Sequence, residues 1–473
     1  MLVAVPTTLY GAHEDRSPSH IGKTTPAVGW KTAIELPGFS KLGTRGRVEA
    51  LSCSTAGNCS VGGYYLNKWR TPEAFVASEV DGHWHPALEV RHTYSPPFNS
   101  SSGAQVSAIS CRTPGNCVAS GFFEPQRSNQ DAFVVREVAG IWQPAGPIPG
   151  LGLKRWRQYS SAAVEYISCP SVTSCVATGQ YTPSRGSYVE EGFVATENEG
   201  VWTTPMQLPG TQSLDAQGSD GGPVVCTSTG NCVATGVIAT PLTHFTAYVV
   251  NERQGSWNHI IKDVGQYSRA ASYQALACPS SGNCVAGGFS SPARNYSRAV
   301  IVNEVSGRWG QVMLAPGVAT LSKGHYAMVT SIACVRAGEC TAVGTYTDGK
   351  SGPQTFGLIE DRGRWGTAVE LPGTAALNKG AIGYGAWVNA PEVTCDTTNY
   401  CVAVGSTLTF NRYEGGFVAI EVNGTWQSAT KVPGTLAQHA NMTEVSCPSA
   451  LRCTAVGDGV TSRVEVPIVS SQI

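Results

Sequence analysis

The chain has 473 residues and a formal net charge of −1, and only 14% of its residues are charged. That balance excludes a whole-molecule field able to recruit nucleic acid or an anionic membrane, and no run approaches the roughly 18 apolar residues of a membrane-spanning helix. Low charge together with 54 glycines and many β-branched residues points to a turn-rich β protein.

Residues 1–27 are polar with scattered Pro and His and read as a flexible tail, and residues 28–473 as one domain. The start, Met1-Leu2-Val3-Ala4-Val5-Pro6, has neither the basic n-region nor the long apolar run of a signal peptide. The cysteines argue for export nonetheless, and they are the stronger signal. All sixteen fall in eight pairs separated by five residues: Cys53 and Cys59, Cys111 and Cys117, Cys169 and Cys175, Cys226 and Cys232, Cys278 and Cys284, Cys334 and Cys340, Cys395 and Cys401, Cys447 and Cys453. Five residues place both cysteines at the mouth of one hairpin, within disulfide reach, and disulfides persist outside the cytosol. No histidine recurs beside the pairs, so zinc finds no set of four ligands. No metal and no cofactor is expected. An extracellular or cell-surface location is expected, the start shown being either the wrong start or one that lacks its export segment; a cytosolic protein with reduced, structural cysteines is the alternative.

Around these pairs runs a repeat of 52 to 61 residues with four extended segments. The first ends at the first cysteine, as in Val106-Ser107-Ala108-Ile109-Ser110-Cys111. The second begins at the next cysteine, as in Cys117-Val118-Ala119-Ser120-Gly121. The third alternates, as in Ala132 to Val138, and the fourth starts at a tryptophan. Short runs rich in Val, Ile, Phe and Trp, bounded by Gly and Pro, read as strands, and no window offers an amphipathic helix of ordinary length. Gly-Asn precedes the second cysteine at Gly57-Asn58, Gly115-Asn116, Gly230-Asn231 and Gly282-Asn283, as a tight turn requires. A Glu-x-x-Gly-x-Trp turn joins the third and fourth segments, as at Glu79, Gly82 and Trp84.

Four antiparallel strands per repeat is the blade of a β-propeller. The last cysteine pair is followed by one strand, Arg463 to Val469, and no tryptophan segment, whereas the first tryptophan segment, Trp30 to Gly38, has no cysteine pair before it. The expected architecture is therefore all-β: an eight-bladed β-propeller of four-stranded antiparallel blades, its ring closed by the N-terminal strand joining the last blade.

The hairpins Ser168-Cys169-Pro170-Ser171 with Cys175-Val176-Ala177-Thr178-Gly179, and Ser446-Cys447-Pro448-Ser449 with Cys453-Thr454-Ala455-Val456-Gly457, resemble β-propeller repeats of secreted bacterial proteins, particularly actinobacterial ones. The likeness covers nearly the whole chain from Val28 on and implies the fold without an activity. More distantly, the turn between third and fourth strands is similar to the Asp-box of sialidase-type propellers. It departs from that motif in having Glu79 three positions before Gly82, and no sialidase set of arginines or Tyr–Glu pair maps onto this sequence.

Neither a Gly-x-Ser-x-Gly nor a phosphate-loop motif is present. Carboxylates remain as candidate catalytic groups: Glu49 and Glu165, four positions before the first cysteine of their repeats, and Glu392 and Glu444, three before theirs. Solvated strand-end glutamates are the plainer reading. The connections from second to third strand and from repeat to repeat vary in length and fall on one face, where binding residues concentrate. They hold the three tryptophans outside the repeat, Trp69, Trp156 and Trp387. Arg155, Arg157 and Tyr159 surround Trp156, and that cluster suits an anionic polysaccharide or acidic protein patch. The candidate binding residues are thus Trp69, Arg155, Trp156, Arg157, Tyr159 and Trp387, with aromatics packing under their own loops as the alternative. The expected function is a monomeric binding or scaffold propeller that recognises a glycan or protein partner. A glycoside-active enzyme with Glu49 and Glu165 as acid and base, and a purely structural surface protein, are the alternatives.

Overall fold

The computed structural model describes residues 29–93, 103–126, 129–151, 161–182, 189–211, 218–240, 244–262, 270–293, 296–323, 326–349, 353–378, 391–397, 400–409, 412–434, 440–449, 451–461 and 464–472. The tail expected over residues 1–27 lies outside them. The fold is all-β, built from repeated four-stranded antiparallel sheets, with only three four-residue helices among the described residues. Each cysteine pair is a disulfide, and each disulfide fastens the first hairpin of one unit. Units are named below by their first cysteine.

The Cys53 unit shows the plan. Gly46–Thr55, Asn58–Leu66 and Pro72–Val80 form three long strands, and His83–Trp84 and Leu88–Glu89 form the fourth in two short pieces. The sequence reads the tryptophan segment as one strand. Pro86, which has no N–H for a ladder, lies in the gap here, but the same gap recurs without proline between Trp309 and Met313 and between Trp365 and Val369.

Turn chemistry explains the punctuation. Asp81 and Gly82 both have positive φ, 48° and 80°, the pattern of the two-residue turn that matches strand twist. The Gly82 N–H donates to the carbonyl of Gly57 at 2.8 Å, and the Asp81 N–H to Asn58 Oδ1 at 3.3 Å. Both turns of the unit therefore lie together on one face, joined by the Gly-Asn pair. A Cβ on Gly57 would come within 2.8 Å of the Gly82 nitrogen.

The glycine four positions after each second cysteine has a different cause. Gly63, Gly121, Gly179, Gly236, Gly344 and Gly405 pair across the ladder with Phe75, Phe133, Phe193, Tyr248, Phe356 and Phe417. All six aromatic rings are fully buried. A Cβ at Gly344 would reach within 2.6 Å of the Phe356 ring. On its other side the same glycine faces a β-bulge in the first strand, the register shifting between Val48 and Ala50 opposite Gly63 and Gly62, and likewise between Val164 and Tyr166. The extra residues at these two bulges are Glu49 and Glu165.

Side-by-side packing links the units. The first strand of each packs on the first strand of the next, and that of the Cys447 unit packs on that of the Cys53 unit. Among the described residues these first strands have an unpaired edge, except that Ala270 of the Cys278 unit pairs in parallel with Phe245 of the unit before it, and at several seams side chains of the preceding unit cap that edge. Ser52, Ser110 and Ser168 Oγ each accept, at 3.0 Å, the N–H of Cys111, Cys169 and Cys226. The N-terminal segment completes the Cys447 sheet: Ile34 and Glu35 pair with Val469 and Ile468, Trp30 bridges Gln472, and Trp30 and Leu36 are buried. Removing residues 1–38 is expected to cost on the order of 4 kcal/mol, from two large buried side chains and an opened sheet edge. Removing residues 1–27 leaves these contacts in place. Equal melting temperatures for the two truncations would contradict this assignment.

Candidate functional site

Three of the four candidate carboxylates meet across consecutive units. Glu392, on Glu392–Thr397, accepts the Val445 N–H at 2.9 Å. This is the edge-capping role that Ser331 plays one unit earlier, where its Oγ accepts the Val393 N–H at 3.2 Å. Glu392 and Glu444 are hydrogen-bonded carboxyl to carboxyl. Burial pushes Glu392 up to about 7 against the stabilising Val445 bond. Burial and then the Glu392 charge hold Glu444 well above the carboxylate range, with Glu49 adding a smaller repulsion. Two carboxyls this close cannot both ionise cheaply, so the pair shares a proton.

Glu49 extends this row into the Cys53 unit. Burial raises it, and Arg47 on the same strand draws it back. Arg47 is itself held by Glu465 at 2.9 Å and approaches Asp458 at 4.0 Å. Asp458 is 3% exposed, accepts the Val48 N–H at 3.1 Å, and is raised well above its ordinary value by burial. Glu165 stands elsewhere. Burial, then Asp220 and Glu190, push it up to about 7; the charges that act on it are not those that act on Glu49. Among the described residues no group of three or more His, Cys, Asp or Glu is arranged to hold a metal ion.

A second feature lies where the second strand ends and the third begins. A cleft of about 480 Å³ opens where the Cys53 and Cys111 units meet the last strand of the Cys447 unit, with Arg45, Tyr64, Gln105, Phe122, Glu124 and, from that strand, Glu465 in its wall. Its volume falls in the range of small-ligand sites, roughly 300–1,000 Å³. Leu66 and Pro72 also line it, and the loop between these two residues carries Trp69. That tryptophan is 67% exposed. Asn67 fixes the loop: its Oδ1 accepts the N–H groups of Trp69 and Thr71 at 2.9 and 3.1 Å, and its Nδ2 donates to Glu73 at 3.0 Å. Arg70 is held at φ 62°, and the Lys68 ammonium sits 4.2 Å from the centroid of the indole. A non-glycine residue with positive φ persists only where its surroundings hold it, so the indole is presented on a fixed loop.

Of the other candidate binding residues, Arg155, Trp156, Arg157, Tyr159 and Trp387 lie outside the described residues. Sequence reasoning passed over Lys68 and Arg70, although Lys68-Trp69-Arg70 has the same basic–tryptophan–basic pattern as residues 155–157. It also passed over Arg45, Tyr64 and Gln105, which reach one cleft only because two units pack side by side.

No protein-family model and no curated protein matches the chain. Solved structures similar to it include the Hadza microbial sialidase Hz136, at 11% identity over 85% of this chain and 74% of that one with a TM-score of 0.42. Others are the GH93 alpha-L-arabinofuranosidase of Fusarium graminearum, at 10% over 65% and 91% with a TM-score of 0.34, and an ulvan lyase of a new polysaccharide lyase family, at 8% over 86% and 96% with a TM-score of 0.42. A likeness at this level assigns neither an activity nor a residue role to this chain.

The raised carboxyls set a pH dependence. In the unfolded chain they titrate near pH 4.3, and in the folded protein Glu165 and Glu392 do so at about 7. The folded state therefore holds more protons, and stability falls as pH rises. This contribution is whole below the unfolded value and is lost as pH passes through about 7. The melting temperature is expected to fall between pH 5 and pH 8, and Glu444→Gln, which leaves one ionisable carboxyl in the pair, should flatten that fall. A melting temperature that climbs over the same range would refute the assignment.

Proposed function

We propose that the eight units are blades of one closed β-propeller spanning residues 28–473, and that it is an extracellular or cell-surface binding protein. It recognises a glycan or protein partner through the face that carries the variable connections. Closure is supported by the first-strand packing that returns from the Cys447 unit to the Cys53 unit and by the pairing of residues 34 and 35 with 469 and 468. Eight disulfides support an oxidising compartment. Among the described residues no helix is long and apolar enough to cross a membrane.

The observation that carries the binding reading is Trp69, an exposed indole whose backbone is fixed by Asn67 on a loop bounded by Leu66 and Pro72, two residues that line a polar cleft. Ordinary surfaces do not hold large aromatics out on pinned loops, whereas binding surfaces use them as anchors. The Glu392–Glu444 pair supports binding over glycosidic hydrolysis. Glycoside hydrolases keep their two carboxyls about 5 Å or more apart to admit the scissile bond, whereas Glu392 is spent on the Val445 N–H and on its neighbour Glu444.

One observation favours the catalytic alternative. Glu392 titrates at about 7, where an acid–base group is most effective, and Glu49 stands close enough to raise Glu444. A panel of immobilised glycans and secreted proteins separates the readings. Wild type is expected to give hits that disappear in Trp69→Ala and persist in Ile141→Asp, a change on the turn-bearing face. Hits lost in Ile141→Asp alone would move the binding face. Product release from a polysaccharide, abolished by Glu392→Gln, would replace binding with catalysis.

A further inference from the structure

We propose that the cleft where the Cys53 and Cys111 units meet Glu465 of the Cys447 unit, together with the adjoining Lys68-Trp69-Arg70 loop, is a subsite for an anionic saccharide, a sugar chain bearing carboxylate or sulfate groups. The inference rests on the reading of the connection face as the binding face and adds the chemical class of what binds there.

Three observations converge. The first is the indole. Its backbone is fixed before any ligand arrives, so little loop ordering is left to oppose binding. Lys68 occupies one side of the ring, and the other is a flat apolar surface of the kind that stacks on the C–H face of a sugar.

The second is unused positive charge. Lys68 and Arg70 flank the indole, and Arg45 stands in the cleft wall. None of the three forms an ion pair among the described residues, whereas Arg47, two residues further along the chain from Arg45, is bound by Glu465. Arg45 and Arg70 therefore keep their guanidinium forks for a ligand, and such forks match carboxylate and sulfate oxygens bidentately.

The third is the wall itself. The Tyr64 hydroxyl, the Gln105 amide and the carboxylates of Glu124 and Glu465 line the cleft. Sugar hydroxyls donate to carboxylates, and the phenol and amide both donate and accept. An acidic polypeptide would meet Glu124 and Glu465 as like charges without hydroxyl groups to satisfy them. Cations at the rim with hydroxyl-reading groups inside therefore favour a charged sugar over an acidic protein.

The test titrates the full-length, disulfide-intact protein with soluble polymers: polygalacturonate and dextran sulfate as anionic polysaccharides, dextran as a neutral one, and poly-L-glutamate as an acidic polypeptide. Wild type is expected to bind at least one anionic polysaccharide, more weakly as salt rises, and to leave dextran and poly-L-glutamate unbound. Trp69→Ala, and separately Lys68→Ala with Arg70→Ala, should each weaken that binding by about tenfold or more, with melting temperatures unchanged because these side chains are exposed. Binding to dextran as tight as to the anionic polymers would keep the binding face and overturn the anionic class. Poly-L-glutamate bound as tightly as the polysaccharides, or binding indifferent to Trp69→Ala, would overturn the saccharide. Failure to bind any of the four polymers would overturn the inference, and the binding reading itself would then stand or fall on the Trp69-dependent hits of the glycan and protein panel.

Discussion

Among the described residues, the first strand of each unit but one has no β partner on its outer edge, and the neighbouring unit supplies side chains in place of a strand; the exception is the Cys278 unit, where Ala270 pairs in parallel with Phe245 of the unit before it. A buried backbone N–H without a partner is costly, and an unprotected edge invites pairing with another chain. Ser52, Ser110 and Ser168 answer this at three successive seams with the same bond to the next disulfide's first cysteine. At the seams that flank the Cys447 unit the capping atoms belong to carboxyls instead: Glu392 for Val445 and Asp458 for Val48. The acidic row through Glu392, Glu444 and Glu49 thus grows from a structural need. Where a serine would be neutral, an acid carries a charge that burial resists, which is why these groups hold protons unusually well. Glu392 and Asp458 are committed to backbone donors, and this weighs against free catalytic roles for them.

A second device works across the same seams and accounts for the Glu-x-x-Gly-x-Trp segment. Its glutamates are buried, and at four of them the partners belong to the preceding unit, whereas Glu421 accepts the N–H of Gly424 in its own turn. Ser60 and Ser78 donate to Glu137, Asn251 and Arg253 to Glu304, Asn303 to Glu360, and Arg136 pairs with Glu197. The tryptophan nitrogens follow the same route: Trp142 donates to Ser78 at 2.9 Å, Trp309 to Asn251 at 2.8 Å and Trp365 to Asn303 at 3.1 Å. In these three cases one side chain, placed just before a unit's own motif glutamate, receives the next unit's tryptophan. The motif is therefore a contact between units as much as a turn.

The strands, the turns and the disulfides were legible in the sequence because each is decided within a dozen residues. Gly57-Asn58 needs its φ and its amide locally, and Cys53 faces Cys59 across one turn. The partner that receives a glutamate or tryptophan is some 50 to 80 residues away and changes type between units: Ser60 and Ser78, Arg136, Asn251, Asn303. No pattern in one repeat reveals a contact whose chemistry varies from seam to seam. The bulge that carries Glu49 and Glu165 was hidden for a related reason. Its cause is the Cys-plus-four glycine on the next strand, which shows in sequence only as one small residue among many.

The same reasoning explains why Trp69 stood out while its surroundings did not. A tryptophan outside the repeat is visible by subtraction, but Tyr64, Gln105 and Phe122 become one wall only when two units stand side by side. The competing expectation for such a residue was burial beneath its own loop. The loop does the reverse. Asn67 spends its side-chain oxygen on the Trp69 and Thr71 amides and its nitrogen on Glu73, and Arg70 takes a left-handed conformation, all of which hold the indole out. Keeping a large apolar ring in water forgoes the roughly 2–3 kcal/mol that burying it would contribute. A positive-φ, hydrogen-bonded loop that forgoes this gain is the physical ground on which the proposed binding site rests.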